Sequence, residues 1–295
     1  MEFVIAAFNV VLVVFIGSTM LAAGLGTRVE DLLAVLRRGS LLLLVLAANL
    51  VVVPLLGWGV AAAFGLSTAA TVALLLVASS PGAPFGAKIA MLQRGDVLTG
   101  STLQVLLAAV GSVTFPLTAN LLFGWAGLGG DLSLPVSDLI RSVAILQLVP
   151  FGIGLSLRRW TDLVATTWEP VTQKVSSLSF LGVLVLGIGS SWEQIVSLLG
   201  SRTLLAGAVF TVLAAIAGGV LATGPSVRRT TLAGIAPLRS AGPAFAAVAI
   251  AFESDPEILA ALSGLLLVGL VLCIPAAARL AATRPAPADP AAVAG

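Results

Sequence analysis

Histidine is absent from the 295-residue chain, cysteine occurs once (Cys273), and charged side chains make up only 9%. Each shortage excludes something. Without histidine there is no imidazole for a zinc site or a proton relay. A single cysteine cannot close an intrachain disulfide or build a cysteine-rich metal site. A soluble domain carries roughly a quarter charged residues, so this chain cannot clothe a water-facing surface. What it has instead is apolar bulk, 59% hydrophobic residues with a mean hydropathy of +1.13. The apolar runs have helical length and are not the alternating segments of about 10 residues found in an outer-membrane barrel. These features define an all-α integral membrane protein whose first partner is the lipid bilayer. The basic residues are scattered over short loops, so nucleic acid is not an expected partner. No Gly-x-Ser-x-Gly elbow and no acid pair within an apolar run points to an enzyme. No cofactor and no metal site is expected.

A membrane span needs about 20 mostly apolar residues. That rule gives about nine spans, at 3–24, 38–64, 70–92, 96–124, 136–157, 174–192, 202–222, 230–252 and 257–282. The first has no basic region before it and reads as a span, not a signal peptide. The long run 38–64 has room to tilt or kink at Pro54. The loop 127–138 is the natural joint between two halves, and the Pro- and Ala-rich end reads as disordered. The expected organisation is a first repeat over 1–126, a linker span with a second repeat over 127–282, and a tail over 283–295.

Loop charge sets the orientation. Arg28, Arg37, Arg38, Arg94, Arg158, Arg159, Lys174, Arg228, Arg229, Arg279 and Arg284 all fall on the side reached after the first span. Only Arg141 and Arg202 flank spans on the other side. The positive-inside rule then makes the richer side cytoplasmic, with the N-terminus outside and the C-terminus inside an inner or plasma membrane.

Two stretches interrupt the apolar pattern. In SSPGAPFGAK, residues 79–88, Pro81 and Pro84 remove backbone donors, and Gly82 and Gly86 tolerate non-helical angles. In APLRSAGP, residues 236–243, Pro237, Gly242 and Pro243 do the same. Lipid tolerates such a break only where the freed backbone lines a cavity or is buried in protein. The two breaks fall in the third span and the eighth, which run in opposite directions. Spans one to four therefore match spans six to nine as inverted repeats with two crossing discontinuous helices, a secondary-transporter architecture. Small residues at the breaks also suit a plain close crossing of helices.

The first break has the spacing of a known motif. The bile acid:sodium symporter family carries Pro-Gly-Gly-Thr-x-Ser-Asn followed by Gly-Asp, and Pro81-Gly82 with Gly95-Asp96 keep that spacing. The chain resembles this family along most of its length. The resemblance implies a transporter of organic anions that works by alternating access between a core and a panel domain. It also exposes departures. The family's sodium-binding Ser and Asn fall on Gly86 and Ala87, and the Ser and Thr of its next span fall on Gly100 and Gln104. Its Glu-x-Gly-x-Gln-Asn falls on Ile235, Ala236, Pro237, Leu238, Arg239 and Ser240. The carboxylate that serves sodium is gone and a cation stands at the Gln position, so sodium is not an expected partner.

Lys88 and Arg239 lie inside spans, whereas all thirteen acids fall in loops or at span ends. A charge at mid-membrane costs at least ~2.5–3.5 kcal/mol and is normally paired. The partners open to these two cations are carbonyls freed at the breaks, Gln104, water or a bound anion. They can supply permanently the positive charge that sodium brings in the relatives. Lys88 can also snorkel to the cytoplasmic face, roughly 9 Å away along a helix, or act as a titrating group. The expected substrate-binding set is Lys88, Arg239, Ser80, Gln104 and Ser240. The other polar side chains, Asn49 and Gln147 among them, read as interhelical hydrogen-bonders. The expected function is sodium-independent secondary transport of a small organic anion. A proton-coupled or uncoupled carrier or exporter of another solute, and a non-transporting receptor, are the alternatives.

Overall fold

A computed structural model of the chain describes residues 2–83, 86–129, 133–190, 192–198 and 200–284. Pro84, part of the joint 127–138 and most of the tail 283–295 lie outside the described residues. The described residues form helices and no strand. In order these are α1 (Glu2–Leu25), α2 (Val29–Leu36), α3 (Gly39–Ala47), which runs through a π turn (Ala48–Val52) into α4 (Val53–Phe64), α5 (Thr68–Ser79) and α6 (Gly86–Leu92). Then follow α7 (Val97–Trp125), α8 (Val136–Trp160), α9 (Asp162–Ser190), α10 (Trp192–Leu198), α11 (Arg202–Val220), α12 (Ser226–Ile235), α13 (Ala241–Ala251) and α14 (Pro256–Ala282). Among the described residues, six helical segments are long and apolar enough to cross a bilayer: Ala6–Leu25, Gly39–Phe64, Val97–Trp125, Val136–Trp160, Arg202–Val220 and Pro256–Ala282.

Both expected breaks are present. α5 ends at Ser79 and α6 starts at Gly86; α12 ends at Ile235 and α13 starts at Ala241. The two breaks touch, because Ser240 N–H donates to Ser80 O at 2.9 Å. Gly82 has a φ of +78°, and a Cβ there would lie 2.6 Å from Gln104 O, so α7 can back directly onto the break. One expectation needs correction. Gly242 and Pro243 do not interrupt the helix; they lie in the first turn of α13. Proline is tolerated there because the first backbone donors of a helix lack intrahelical acceptors anyway.

A second correction concerns the helix expected at 174–192. α9 begins twelve residues earlier, at Asp162, and is joined to α8 through Thr161 alone. Glu169, Pro170, Gln173 and Lys174 lower the hydropathy of its first turns and disguise them as a loop. Glu169 is therefore a carboxylate within a long helix and not a loop residue.

α1 packs along α8 and α9 to form one three-helix layer. α4, α5, α7, α11 and α14 pack against one another, with the broken helices among them, to form a second body. At one end of the molecule the layers are sealed by buried apolar side chains, including Phe8 and Leu12 of α1, Leu139 and Val143 of α8, and Phe245 of α13. Phe8 and Phe245 meet edge to face across the seam at 5.8 Å.

The opposite end carries the basic loops and is held by polar contacts. Asp96 caps α7 by accepting from Thr99 N–H at 3.1 Å, and its other oxygen accepts from Arg228 Nε of α12 at 2.8 Å. Asp96 N–H donates to Thr231 Oγ1 at 2.9 Å. The far ends of the two broken helices are thus tied together. Partial burial pushes the Asp96 carboxyl pKa up, but the hydrogen bonds from Arg228 and Thr99 outweigh it and leave it below the usual carboxylate value. A carboxylate with a lowered folded pKa stabilises the fold above its unfolded pKa of roughly 3.9 and loses that contribution as the pH falls through the folded value. The thermal stability of the purified protein should therefore drop on acidification below about pH 4, and Asp96→Asn should flatten that dependence. An unchanged acid limb in Asp96→Asn would contradict the assignment.

Candidate functional site

Arg239 sits in the second break, 4% exposed. Its partners are backbone carbonyls that two distortions have released. In the π turn Val53 N–H donates to Ala48 O, five residues back, which leaves Asn49 O without its usual helical donor. Arg239 Nη2 takes that carbonyl at 3.1 Å, and Nη1 takes Asn49 Oδ1 at 2.8 Å. Asn49 Nδ2 donates to Val45 O at 3.0 Å, which fixes the amide orientation. At the first break Pro81 has no N–H and Gly82 leaves the helix, so Ala78 O lacks its helical donor and Val77 O keeps only Ser80 N–H, at 3.1 Å. Arg239 Nη2 takes Ala78 O at 2.7 Å and Nε takes Val77 O at 3.4 Å. The guanidinium thus joins the π turn, the C-terminal end of α5 and the second break. Carbonyls freed at a break were among the partners open to it on sequence grounds. Asn49 was passed over as a routine hydrogen-bonder.

A guanidinium has five N–H donors. Four are committed here to the chain's own oxygens, which leaves one for any other partner. The charge remains, and it lies against the negative end of a half-helix.

Ser80 and Gln104 serve the crossing itself. Ser80 is fully buried, with its hydroxyl donating to Leu76 O at 2.8 Å. Gln104 Nε2 donates to Ile235 O, the last residue of α12, at 2.9 Å. The same amide fills the space beside Gly86, where a Cβ would lie 2.7 Å from Nε2.

A cavity of about 690 Å³ separates the α1–α8–α9 layer from the second body. Its walls run from Phe15 on α1 to Thr27 just past its end and from Glu169 to Leu181 on α9, the half of the molecule nearer the basic loops. Phe15, Met20, Phe180, Phe210 and Leu265 make much of it apolar. Lys88, Arg239, Ser240 and the first turn of α13 line it, but Ser80 and Gln104 do not. Lys88 is exposed on α6, and its Nζ donates to Ser177 Oγ of α9 at 2.7 Å, across the gap between the two bodies. Two lining residues went unnoticed in the sequence. Glu169 and Gln173 belong to a stripe on α9 with Ser176, Ser177 and Phe180. Their i, i+4, i+7, i+8, i+11 spacing is the signal of one helix face. Thr19 of α1 and Ser176 share a 2.6 Å hydroxyl contact on the same seam.

Broken helices that meet inside an apolar bundle, beside a cavity carrying fixed charge, define a membrane transporter. The model of the Sodium Bile acid symporter family matches residues 13–198, well over half of the chain, and the protein belongs to that family of transporters. A protein of Oryza sativa subsp. japonica, named as a probable chloroplastic sodium/metabolite cotransporter, BASS3, is 26% identical over 216 residues, covering 72% of this chain and 49% of the relative. The Arabidopsis thaliana protein of the same name is 32% identical over 164 residues, covering 53% of this chain and 35% of the relative. The chain spans about half or less of the length of these relatives.

The Arg239 network makes a stability prediction. Removing one partner of a buried charged network typically costs ~3–5 kcal/mol. Arg239→Ala should lower the melting temperature sharply in detergent. Asn49→Ala should cost less, because Val77 and Ala78 still accept. Arg239→Lys should recover little, since an ammonium cannot span carbonyls on both sides of the crossing. A stable Arg239→Ala protein would contradict the network.

Proposed function

We propose that this protein moves a small organic anion across an inner or plasma membrane by alternating access, without sodium coupling. The observation that carries this reading is the cavity between the two bodies, where Lys88 and the N-terminal turn of α13 both present positive charge to an apolar chamber. An acid with an apolar body matches that lining. Ser240 and Ser177 add polar contacts, and Arg239 adds charge from behind the crossing.

Support for sodium independence comes from what stands at the family's sodium positions. Hard cations need a set of oxygen ligands. Gly86, Gly100 and Ile235 offer no side-chain oxygen. Gln104 Oε1 is buried there without a hydrogen-bond partner, but one neutral oxygen is a poor cage. The Gln104 amide and the Arg239 guanidinium already donate to the carbonyls of the two breaks. Donors built into the chain thus do what a bound cation does elsewhere, which supports transport without sodium.

The proposed topology is nine crossings, a first repeat over 1–126 and a linker span with the second, inverted repeat over 127–282, with the N-terminus outside. The broken pairs α5–α6 and α12–α13 and the helix α9 join the six long segments as crossings. In this orientation the cavity faces the cytoplasm, and the Phe8–Phe245 seam closes the outer side. Labelling of single cysteines at positions 226 and 130, in a Cys273→Ala background, should find 226 accessible only from the cytoplasm and 130 only from outside. The reverse pattern would sink the topology.

The function is tested by calorimetric binding of a series of carboxylates, from acetate to a steroid acid, in sodium and in choline buffer. At least one acid should bind equally well in both. Lys88→Ala should weaken it by about tenfold or more, the worth of a hydrogen bond to a charged group at ~1.5–3 kcal/mol. Affinity that rises with sodium would overturn the uncoupled reading, and no binding by any acid would overturn the organic-anion reading.

A further inference from the structure

Glu169 puts a carboxylate into a chamber that otherwise favours anions. It is half-buried, Oε1 accepts from Gln173 Nε2 at 3.1 Å, and both residues line the cavity. Oε1 lies against Gly26, in the turn that follows α1, where a Cβ would come within 2.9 Å, so the glycine leaves room for the acid. The facing stretch, residues 15–27 of α1 and the turn after it, contains no charged residue. A carboxylate taken partly out of water costs free energy unless something compensates it, and one glutamine amide is slight compensation.

We infer that Glu169 is a specificity-determining residue that recognises a cationic group on the substrate, making the substrate an organic acid with a separate positive charge. This rests on the organic-anion reading above and adds the second charge to it. The spacing follows from α9. Ser177, which holds Lys88, and Glu169 are eight residues apart on one face, about 12 Å along the axis at 1.5 Å per residue. A contact of roughly 3 Å at each end leaves about 6 Å between the charges of the ligand. An α-amino acid carries its charges too close together to reach both ends, whereas an ω-amino acid with a chain of five or six carbons spans them. Between those ends α9 lines the cavity with Gln173 and Ser176, and Met20, Ala22 and Ala23 on the facing wall suit its methylenes.

Three compounds with the same six-carbon skeleton separate the possibilities: 6-aminohexanoate, hexanoate and 2-aminohexanoate. Calorimetry on the purified full chain should give 6-aminohexanoate an affinity about tenfold above hexanoate, with 2-aminohexanoate weakest. Glu169→Gln keeps the shape and an acceptor for Gln173, so it should erase the preference for 6-aminohexanoate and leave hexanoate binding intact. Lys88→Ala should weaken both ligands alike. Equal binding of hexanoate and 6-aminohexanoate by the wild type would overturn the inference and leave the organic-anion reading standing. So would a preference that survives Glu169→Gln. Failure of all three compounds while another carboxylate binds would overturn the charge spacing. Failure of every carboxylate would overturn both readings.

Discussion

The fold depends on one cation satisfying carbonyls that two irregular segments have released. A π turn and the end of a half-helix each leave polar backbone without a helical donor, and lipid offers no replacement. Arg239 answers them together, through Asn49, Val77 and Ala78. The irregularities and the arginine require each other. Without the released carbonyls the guanidinium would be an unpaired buried charge, and without the guanidinium Asn49 O and Ala78 O would be orphans. Pro54 and Pro81 help create the release, so residues far apart in the chain converge on one electrostatic solution.

From that centre the mechanical division of the molecule follows. The crossing, tied by Ser240 to Ser80 and by Gln104 to Ile235, belongs to one body, and its two far ends are clamped by Asp96, Arg228 and Thr231. The α1–α8–α9 layer touches this body through an apolar seam at one end and through Lys88–Ser177 at the other. A seam of apolar contacts and a hydroxyl bridge can open without uncovering a buried charge, whereas the crossing cannot. Under the proposed function this is why the rigid parts move past each other while the centre stays fixed.

Much of the fold was legible in the sequence because it depends on local chemistry. Proline and glycine mark the breaks wherever they fall, and the apolar runs mark the long helices. The site was legible only in part. Lys88 and Ser240 do line the cavity, but Ser80 and Gln104 were picked for adjacency to the breaks and turned out to hold the crossing. Asn49 was invisible as the Arg239 partner because the carbonyl it offers exists only through a π turn, and nothing in ANLVV marks that turn. Glu169 was misplaced because hydropathy averages over a window. Glu169 and Lys174 depress that average, although the cavity-facing stripe that Glu169 begins keeps helical spacing throughout.

Under the proposed function, side chains of this protein take the role that a bound cation has elsewhere. A ligand that binds only the folded state stabilises it by RT ln(1 + [L]/Kd), about 2.7 kcal/mol at a hundredfold excess over Kd. The direct measurement is the thermal stability of the purified protein across a sodium titration at constant ionic strength, with choline as the replacement. The account predicts a flat line. A melting temperature that climbs and saturates with sodium would contradict it.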